Sequence, residues 1–410
     1  LPGGEGFDWY YDSPEGETAQ RRLPIEDGVY GEPRVFRYKD MKSWWSLPHH
    51  NRIDGLRDVA ATVWEPGSKP IRFTEYGCAA LDKGTNQPNK FLDPKSSESS
   101  LPKYSNGRRD DLMQMQYLRA MAEFWGDVQN NPVSDLYGGP MVDMAHGHVW
   151  AWDARPFPVF PNMLSLWSDG ENYGRGHWLT GRATVQPLAS VVAEICERSG
   201  VRDFNVSGLY GVVRGFEVSD VGAARAALQP LMLAYGFEAV ERSGRLIFRM
   251  RDGRLSAVLD RGTLAVVGDI DGVMQTARVP EAETAGRVRL GYIEAEGDYA
   301  VRQAEAIFPD DLSFGVSQSE FPLLLTSAES RGTVERWLAE SRVARDTTRF
   351  ALPRSALHLG AGDVVELEGA RYRIDRIDQA EAQIVDAVRI EAAVYQPSDA
   401  AEVRVVPRAL

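Results

Sequence analysis

Residues Lys69 to Gly77, reading Lys-Pro-Ile-Arg-Phe-Thr-Glu-Tyr-Gly, constrain the fold of this chain more than any other stretch. Ile71 and Phe73 alternate with Arg72 and Thr74 as a strand requires, and the alternation stops at Glu75-Tyr76-Gly77. A carboxylate and an aromatic ring therefore stand where a strand gives way to a loop. The remaining sequence has to supply neighbours for that strand and a use for the acid at its end.

Upstream, Arg34 to Asp40 reads as a strand, and Met41 to His50 as the loop beyond it, carrying Trp44, Trp45, His49 and His50. Residues 54 to 64 read as a helix, because Leu56, Val59, Ala60 and Val63 share a face and Pro66-Gly67 closes it. Cys78 to Gly107 is rich in Lys, Asn, Ser and Pro and shows no clear element; loops that long are functional or disordered. Asp110 and Asp111 begin a helix whose Leu112, Met115, Leu118, Met121, Ala122 and Trp125 lie near one stripe, with Gly126 at its C′ position. Gly147 to Trp152 reads as a further strand that ends in Asp153-Ala154-Arg155-Pro156. Strand, helix, strand, helix, strand is α/β grammar. In a (β/α) barrel the C-terminal ends of the strands are where ligands are met, and here each end carries acids, aromatics or Arg.

Composition changes near residue 182. Of the ten tryptophans only Trp337 follows it, and the last lysine is Lys103. A chain of 410 residues is too long for one ordinary core, so the shift reads as a domain boundary. From Gln186, Leu188, Val191, Val192, Ile195 and Cys196 recur at helical spacing until Gly200. A strand is expected over residues 211–218, then a helix over 221–235, capped by Asp220 and kinked by Pro230. Residues 237–250 alternate around Ser243-Gly244 as a hairpin. Strands follow at 288–293 and 323–326, then a helix from Ala328 to about Arg345, then strands at 363–367, 371–377 and 384–395. This half is α+β and mostly antiparallel.

Several classes of function are excluded or disfavoured. The net charge is −13, from 46 basic and 59 acidic residues, with no Lys/Arg block to hold duplex nucleic acid. No run of 18 apolar residues argues for a membrane span. Cys78 and Cys196, the only cysteines, build neither a disulfide framework nor a metal knuckle and read as small buried thiols. His49-His50 and His146/His148 lack carboxylates at a fixed helical offset, so no metal is expected. No dinucleotide fingerprint, Walker loop or Ser-centred elbow is present, and no cofactor is expected. Leu1 stands where a Met would begin a complete chain, which reads as a segment of a longer one.

By position, Glu75 is the catalytic candidate, with Asp153 and Asp40 as strand-end partners and Asp143, Asp8 and Asp12 as further carboxylates. A retaining glycosidase needs two carboxyl groups about 5–5.5 Å apart, and sequence spacing does not choose the second. The competing reading pairs Glu75 with an Arg such as Arg155 to fix the loop, and binding without turnover is preferred over catalysis. Trp44, Trp45, Tyr76, Trp150 and Trp152, with Arg155, are the ligand-binding candidates: such rings stack on sugar faces or pack beneath the long loop.

The words Phe36-Arg-Tyr-Lys-Asp-Met-Lys-Ser-Trp-Trp45, Lys69 to Cys78, Asn86-Gln-Pro-Asn89, Asp93 to Ser99, Trp150 to Pro156 and Trp167 to Asn172 resemble the TIM-barrel-like domain of gene transfer agent tail-tip (baseplate megatron) proteins. Gly211 to Gly215, Ala224 to Leu231 and Leu357 to Leu367 resemble the phage tail hub domain of the tip attachment protein J type. The resemblance implies a multidomain chain: a partial (β/α) TIM-barrel-like segment over 1–182, an α+β phage tail hub-like domain over 186–396, and a linker or further domain over 397–410. It implies a virion component made in a bacterial cytoplasm that closes the distal tail, contacts distal tail and hub proteins, engages the host envelope and forms a homo-oligomer, a trimer. A cell-surface polysaccharide is the expected ligand of the barrel rim. The alternative is a glycoside hydrolase, in which Glu75 matches the strand-end nucleophile. Only the last three strand ends, at Asp40, Glu75 and Asp153, are evident, and three βα units do not close an eight-stranded barrel.

Overall fold

The chain divides into two compact units, Leu1–Ala183 and Thr184–Leu410. A computed structural model describes residues 9 to 396 except 25–29, 31–40, 55, 181, 183, 220, 298, 310–314, 380 and 381. The strand expected at 34–40, the candidate Asp40, Asp8, the cap Asp220 and residues 397–410 lie outside the described residues.

In the first unit the extended segment 71–76 runs parallel to residues 141–149, bridging at Ile71/Val142 and Tyr76/Val149. Its ladder runs from Ile71 N to Met141 O (2.7 Å) and Asp143 N to Ile71 O (2.9 Å), through His148 N to Phe73 O (3.0 Å), to Tyr76 N to His148 O (3.0 Å) and Trp150 N to Tyr76 O (2.9 Å). Parallel neighbours need a crossover, and the helix Asp111–Gly126 lies within it. Met41–Ser46 is also a helix, α1, where a loop was expected, so Asp111–Gly126 is α2. The Asp110 side chain caps α2 by accepting from Met113 N at 2.9 Å. Trp45, Trp125, Met141 and Val142 form the core here, with Ile71 and Phe73 packed against it.

Residues 54–64 are not a helix. Arg52–Ile53 (β1) and Leu56–Arg57 (β2) make a short hairpin with Asp54 at φ 49°, and the chain beyond runs irregularly. Asp-Gly between apolar residues is a hairpin signal that outranks a marginal helical period. Val59 and Val63, which the helix would have buried, are fully exposed. Gly147 to Trp152 is extended only as far as Val149 and then turns at Trp150-Ala151.

The second unit holds the helices Leu188–Arg198 (α3), Ala224–Tyr235 (α4) and Ser327–Val343 (α5). Its α4 starts at Ala224, later than expected, and residues 211–218 form only a short pairing at Val212–Val213 with an isolated bridge from Phe216 to Leu323. Thr326 and Glu329 close a capping box at the start of α5. Phe204–Gly208 (β3), Phe237–Arg242 (β4) and Arg245–Met250 (β5) form a sheet in the order β3-β5-β4. Ser243 and Gly244 join β4 to β5 with φ of 55° and 77°, the doubly positive turn that matches strand twist.

Ala257–Leu259 (β6), Met274–Arg278 (β7), Arg287–Glu294 (β8), Val301–Ile307 (β9) and Val316–Leu325 (β10) follow. Asp346–Leu352 (β11), Val364–Leu367 (β12), Ala370–Gln379 (β13) and Gln383–Ile390 (β14) complete the set. A three-stranded sheet runs β9-β8-β10 and a six-stranded one β6-β12-β13-β14-β11-β7. One core joins α3, α4 and α5 to the two smaller sheets through residues such as Leu188, Leu231, Phe248, Leu290 and Val334. A separate core, with Phe350, Val365, Ile374 and Val385, fills the six-stranded sheet. Mixed helix and sheet is thus observed, with antiparallel pairing dominant and parallel pairs at β8–β10, β3–β5 and β6–β12.

Candidate functional site

The two parallel segments of the first unit end together. Gly77 packs against the Trp150 backbone so closely that a Cβ there would collide with the Trp150 carbonyl oxygen, which is why the strand must end in glycine. Beyond that contact, Ala151 N donates to His177 O at 3.1 Å and Leu179 N to Ala151 O at 3.0 Å. A third strip of chain, 177–179, thereby closes the lip from the other side. Glu75, Trp150 and Trp152 are carried on this frame.

Glu75 is exposed and makes no hydrogen bond or ion pair among the described residues. Its expected partner Arg155 is engaged elsewhere. The Arg155 guanidinium is forked between Asp153 (2.6 Å) and Asp169 (2.8 Å) and lies 3.6 Å from the centre of the Phe160 ring. Trp178 Nε1 also donates to Asp153 Oδ2 at 3.0 Å. The Arg155 fork, with smaller help from Trp178, holds the Asp153 carboxyl below the usual carboxylate range despite partial burial. A carboxylate kept ionised and fully hydrogen-bonded is a structural anchor, the reverse of what a general acid needs. Asp143 is likewise paired, with Arg72 at 3.2 Å and His146 at 2.7 Å.

The aromatic candidates separate by burial. Trp45 is only 5% exposed and donates its indole N–H to Lys69 O at 2.7 Å, so it is core and not a ligand platform. The reason is α1, which turns Trp45 inward and leaves its neighbour Trp44 outside. Trp44 is 43% exposed and shares a three-ring cluster with His49 and Trp64, at centroid distances of 4.9 and 5.0 Å. Tyr76 is half-buried beside Phe73 at 6.0 Å. Trp150 and Trp152 are 50% and 66% exposed, an unusual cost for rings this large. Together with Glu75 they are what the lip offers to solvent.

Behind the lip lie polar groups that the sequence did not point to. Arg182, 1% exposed on its side chain, pairs with buried Asp111 at 3.2 Å, and Arg109 reaches the same carboxylate at 2.9 Å. Arg182 also donates to the carbonyls of Tyr173 and Trp178 and lies 4.3 Å from the centre of the Tyr173 ring. Gln114, buried in α2, donates to Cys78 O (3.1 Å) and His177 O (2.9 Å). Burial, with Asp110 nearby, pushes the Cys78 thiol up to about 12, so it is not a nucleophile. Among the described residues no cluster of His, Cys, Asp and Glu is arranged to hold a metal, and no helix is long and apolar enough to cross a membrane.

Comparison with known proteins follows the same division. Residues 1–161 match the GTA TIM-barrel-like domain, and residues 223–377 match a putative phage tail protein family. A chain in the virion of a native gene transfer agent particle is 45% identical, covering 69% of this chain and 71% of that one, with a TM-score of 0.55. The tail protein from Neisseria meningitidis MC58 is similar at 11% identity, covering 52% of this chain and 69% of its own, with a TM-score of 0.35. A chain of the phage P2 baseplate in its activated, calcium-containing conformation is 12% identical over 51% of this chain and 68% of its own, with a TM-score of 0.20. Among curated proteins, none matches.

Proposed function

The chain belongs to the family of gene transfer agent virion proteins that join a TIM-barrel-like domain to a phage tail domain, and on that premise we propose that it closes the distal end of the particle's tail and meets the host envelope there. It is a structural tail component. The observation that carries this reading is the 45% identity to a virion chain, extending over most of both molecules. Other tail and baseplate proteins are its partners, and the second unit, with its long strands and continuous core, is the part built for them. Residues 186–396 act as the hub module, assembling as a trimer.

Residues 1–182, within the first unit, are read as the C-terminal part of a barrel. The parallel pairing of 71–76 with 141–149 across α2 supports this, since it has the form of one barrel repeat. Its lip binds a surface polysaccharide through Trp150 and Trp152, with Glu75 accepting from sugar hydroxyls and Trp44 and Tyr76 as outlying contacts. Binding without turnover is favoured over hydrolysis, because Asp153 is tied to Arg155 and Trp178 and is not available as a proton donor. Deleting the gene segment should give particles with unfinished tails, seen by electron microscopy; complete tails would overturn the assembly reading. Labelled capsule or cell-wall polysaccharide should bind without being cleaved, and cleavage that disappears in Glu75→Gln would establish the hydrolase instead.

A further inference from the structure

The strand β9 is an edge, pairing with β8 on one side only in the sheet order β9-β8-β10. Glu294 N donates to Ala300 O (3.1 Å) and Phe308 N to Gly286 O (2.9 Å), which fixes the phase of that antiparallel ladder. Its hydrogen-bonded pairs therefore use the even-numbered residues of β9, and the N–H and C=O groups of Val301, Gln303, Glu305 and Ile307 point away from β8. Among the described residues none of these backbone groups meets a hydrogen-bond partner. The side chains of the same four residues are exposed, Val301 by 75% and Ile307 by 52%, while Ala304 and Ala306 face the core shared with α5. The opposite edge of the sheet is partly covered: beside β10, Leu324 N donates to Gly215 O (2.9 Å) and Glu217 N to Pro322 O (3.1 Å). A seven-residue edge with no Pro, no Lys and no bulge is a template for another strand.

We propose that β9 pairs with β9 of a second copy of this chain, antiparallel about a two-fold axis at Ala304. In that register the outward backbone groups of the two strands meet. Val301 stands opposite Ile307 of the second copy, and Gln303 opposite its Glu305, each pair exchanging both of its backbone bonds. The side chains match as well: an aliphatic pair at either end, and between them an amide that donates to a carboxylate. Within its own sheet the Glu305 charge is already offset by Arg289 (2.7 Å) and Arg287 (3.5 Å), which lowers the cost of covering it. A slip of two residues one way sets Glu305 against Val301, and the other way sets Glu305 against itself, two carboxylates face to face. A slip of one residue opposes an outward-facing residue to an inward-facing one. On the α5 side Ala304 meets Ala304 and Arg302 meets Ala306, so each of the closer, non-hydrogen-bonded pairs includes an alanine. The product is an open six-stranded sheet of ordinary size. Because α5 packs over β8 and β9, a strand spacing of about 4.8 Å sets its two copies about 10 Å apart, the separation of packed helices. A two-fold contact does not close a three-membered ring, so this pairing belongs to the free chain, where it covers an edge open to indiscriminate strand addition. It is separate from the proposed trimer and does not rest on it.

Sedimentation of the full chain, free of other tail proteins, should show an equilibrium between monomer and dimer, with the dimer fraction rising with concentration. Chains that stay monomeric throughout, or that associate only as trimers, overturn the proposal. Cross-linking reads the register. Val301→Cys and Ile307→Cys replace exposed side chains, and a hydrogen-bonded antiparallel pair has a Cα separation of about 5.5 Å, within disulfide reach. Mixed under mild oxidation, the two variants should give a covalent dimer that neither forms alone; the native Cys78 and Cys196 are both buried. A mixture that does not cross-link, or a Glu305→Cys variant that cross-links to itself, contradicts the register. Gln303→Glu should weaken the dimer about tenfold, since the symmetry opposes carboxylates twice. Adding Glu305→Gln to that chain should restore the dimer, and association indifferent to both changes overturns the pairing. All of these measurements use the chain alone, so failure of the tail-tip reading would leave them unaffected.

Discussion

The two units of this chain are held together by different physics. The second is a protein of sheets, with strands as long as ten residues in β10 and β13 and two apolar cores beneath them. The first has one long helix, α2, and otherwise helices of six residues or fewer, two-residue strands and turns among its described residues. Its order comes from loops bonded to loops and from a few buried polar contacts, chiefly Arg182 with Asp111. A continuous core distributes the cost of any single loss, whereas a latched loop structure concentrates it. The lesson concerns function: the unit we propose is gripped by neighbours is built on apolar cores, and the unit that displays Trp150, Trp152 and Glu75 is a frame of loops around a lip.

That contrast breaks down most visibly if Arg182→Ala behaves as an ordinary surface change. Removing one partner of a buried pair should cost about 3–5 kcal/mol, and the loss should appear only in the first unit. Urea unfolding can separate the two, because tryptophan emission reports the first unit, where all but Trp337 lie, while far-ultraviolet circular dichroism follows the sheets of the second. Phe248→Ala is the mirror experiment. Emptying that fully buried site in the second unit should cost about 3–5 kcal/mol, moving the dichroism transition and sparing the tryptophan signal. If both variants shift both signals together, the units are not separate in the sense used here.

Smaller effects sharpen the comparison. Gly77→Ala forces a methyl group into the Trp150 carbonyl and should cost about 1–3 kcal/mol, with lost polysaccharide affinity as the lip shifts. Both units should also weaken in acid. Asp153 and Asp169 are held below the usual carboxylate range mainly by Arg155. Asp363 in the second unit is raised by burial, but Arg242, the Gly360 amide and Arg249 more than offset that. Carboxyls depressed in the folded state contribute stability above their unfolded value of about 4, and that contribution is lost as pH falls through it. Melting temperatures measured between pH 7 and pH 3 should therefore fall most steeply below about pH 4. Glu75→Gln should be the mildest change of all. An exposed acid without a partner contributes under about 0.5 kcal/mol, so any large stability effect would mean it has a structural role.

What the sequence revealed was local. The hairpin turn at Ser243-Gly244 was legible because both residues adopt positive φ, a demand written in the residues themselves. The helices α2, α3 and α5 were legible from their periodicity, and the strand at 71–76 from its alternation. The strands β3, β6, β7, β9 and β11 were not read. All but β11 lie at sheet edges, where one face and one flank meet water and the apolar alternation fades; in β9, Val301, Gln303, Glu305 and Ile307 are all exposed. The strand β11 is interior, between β14 and β7, and follows directly on α5. The site was legible in outline only. Glu75, Trp150 and Trp152 were picked out by their place at strand ends, but the partners of Arg155 depend on where Asp169 returns in space. Nothing in Arg182 or Asp111 by itself announces that they meet.

The most direct test compares amide exchange of the free chain with that of the same chain inside intact particles. This account predicts new protection on the second unit, where tail neighbours grip it, and unchanged exchange around Tyr76, Ala151 and Trp152 at the lip. New protection confined to the lip, with the second unit exchanging as it does when free, would contradict it.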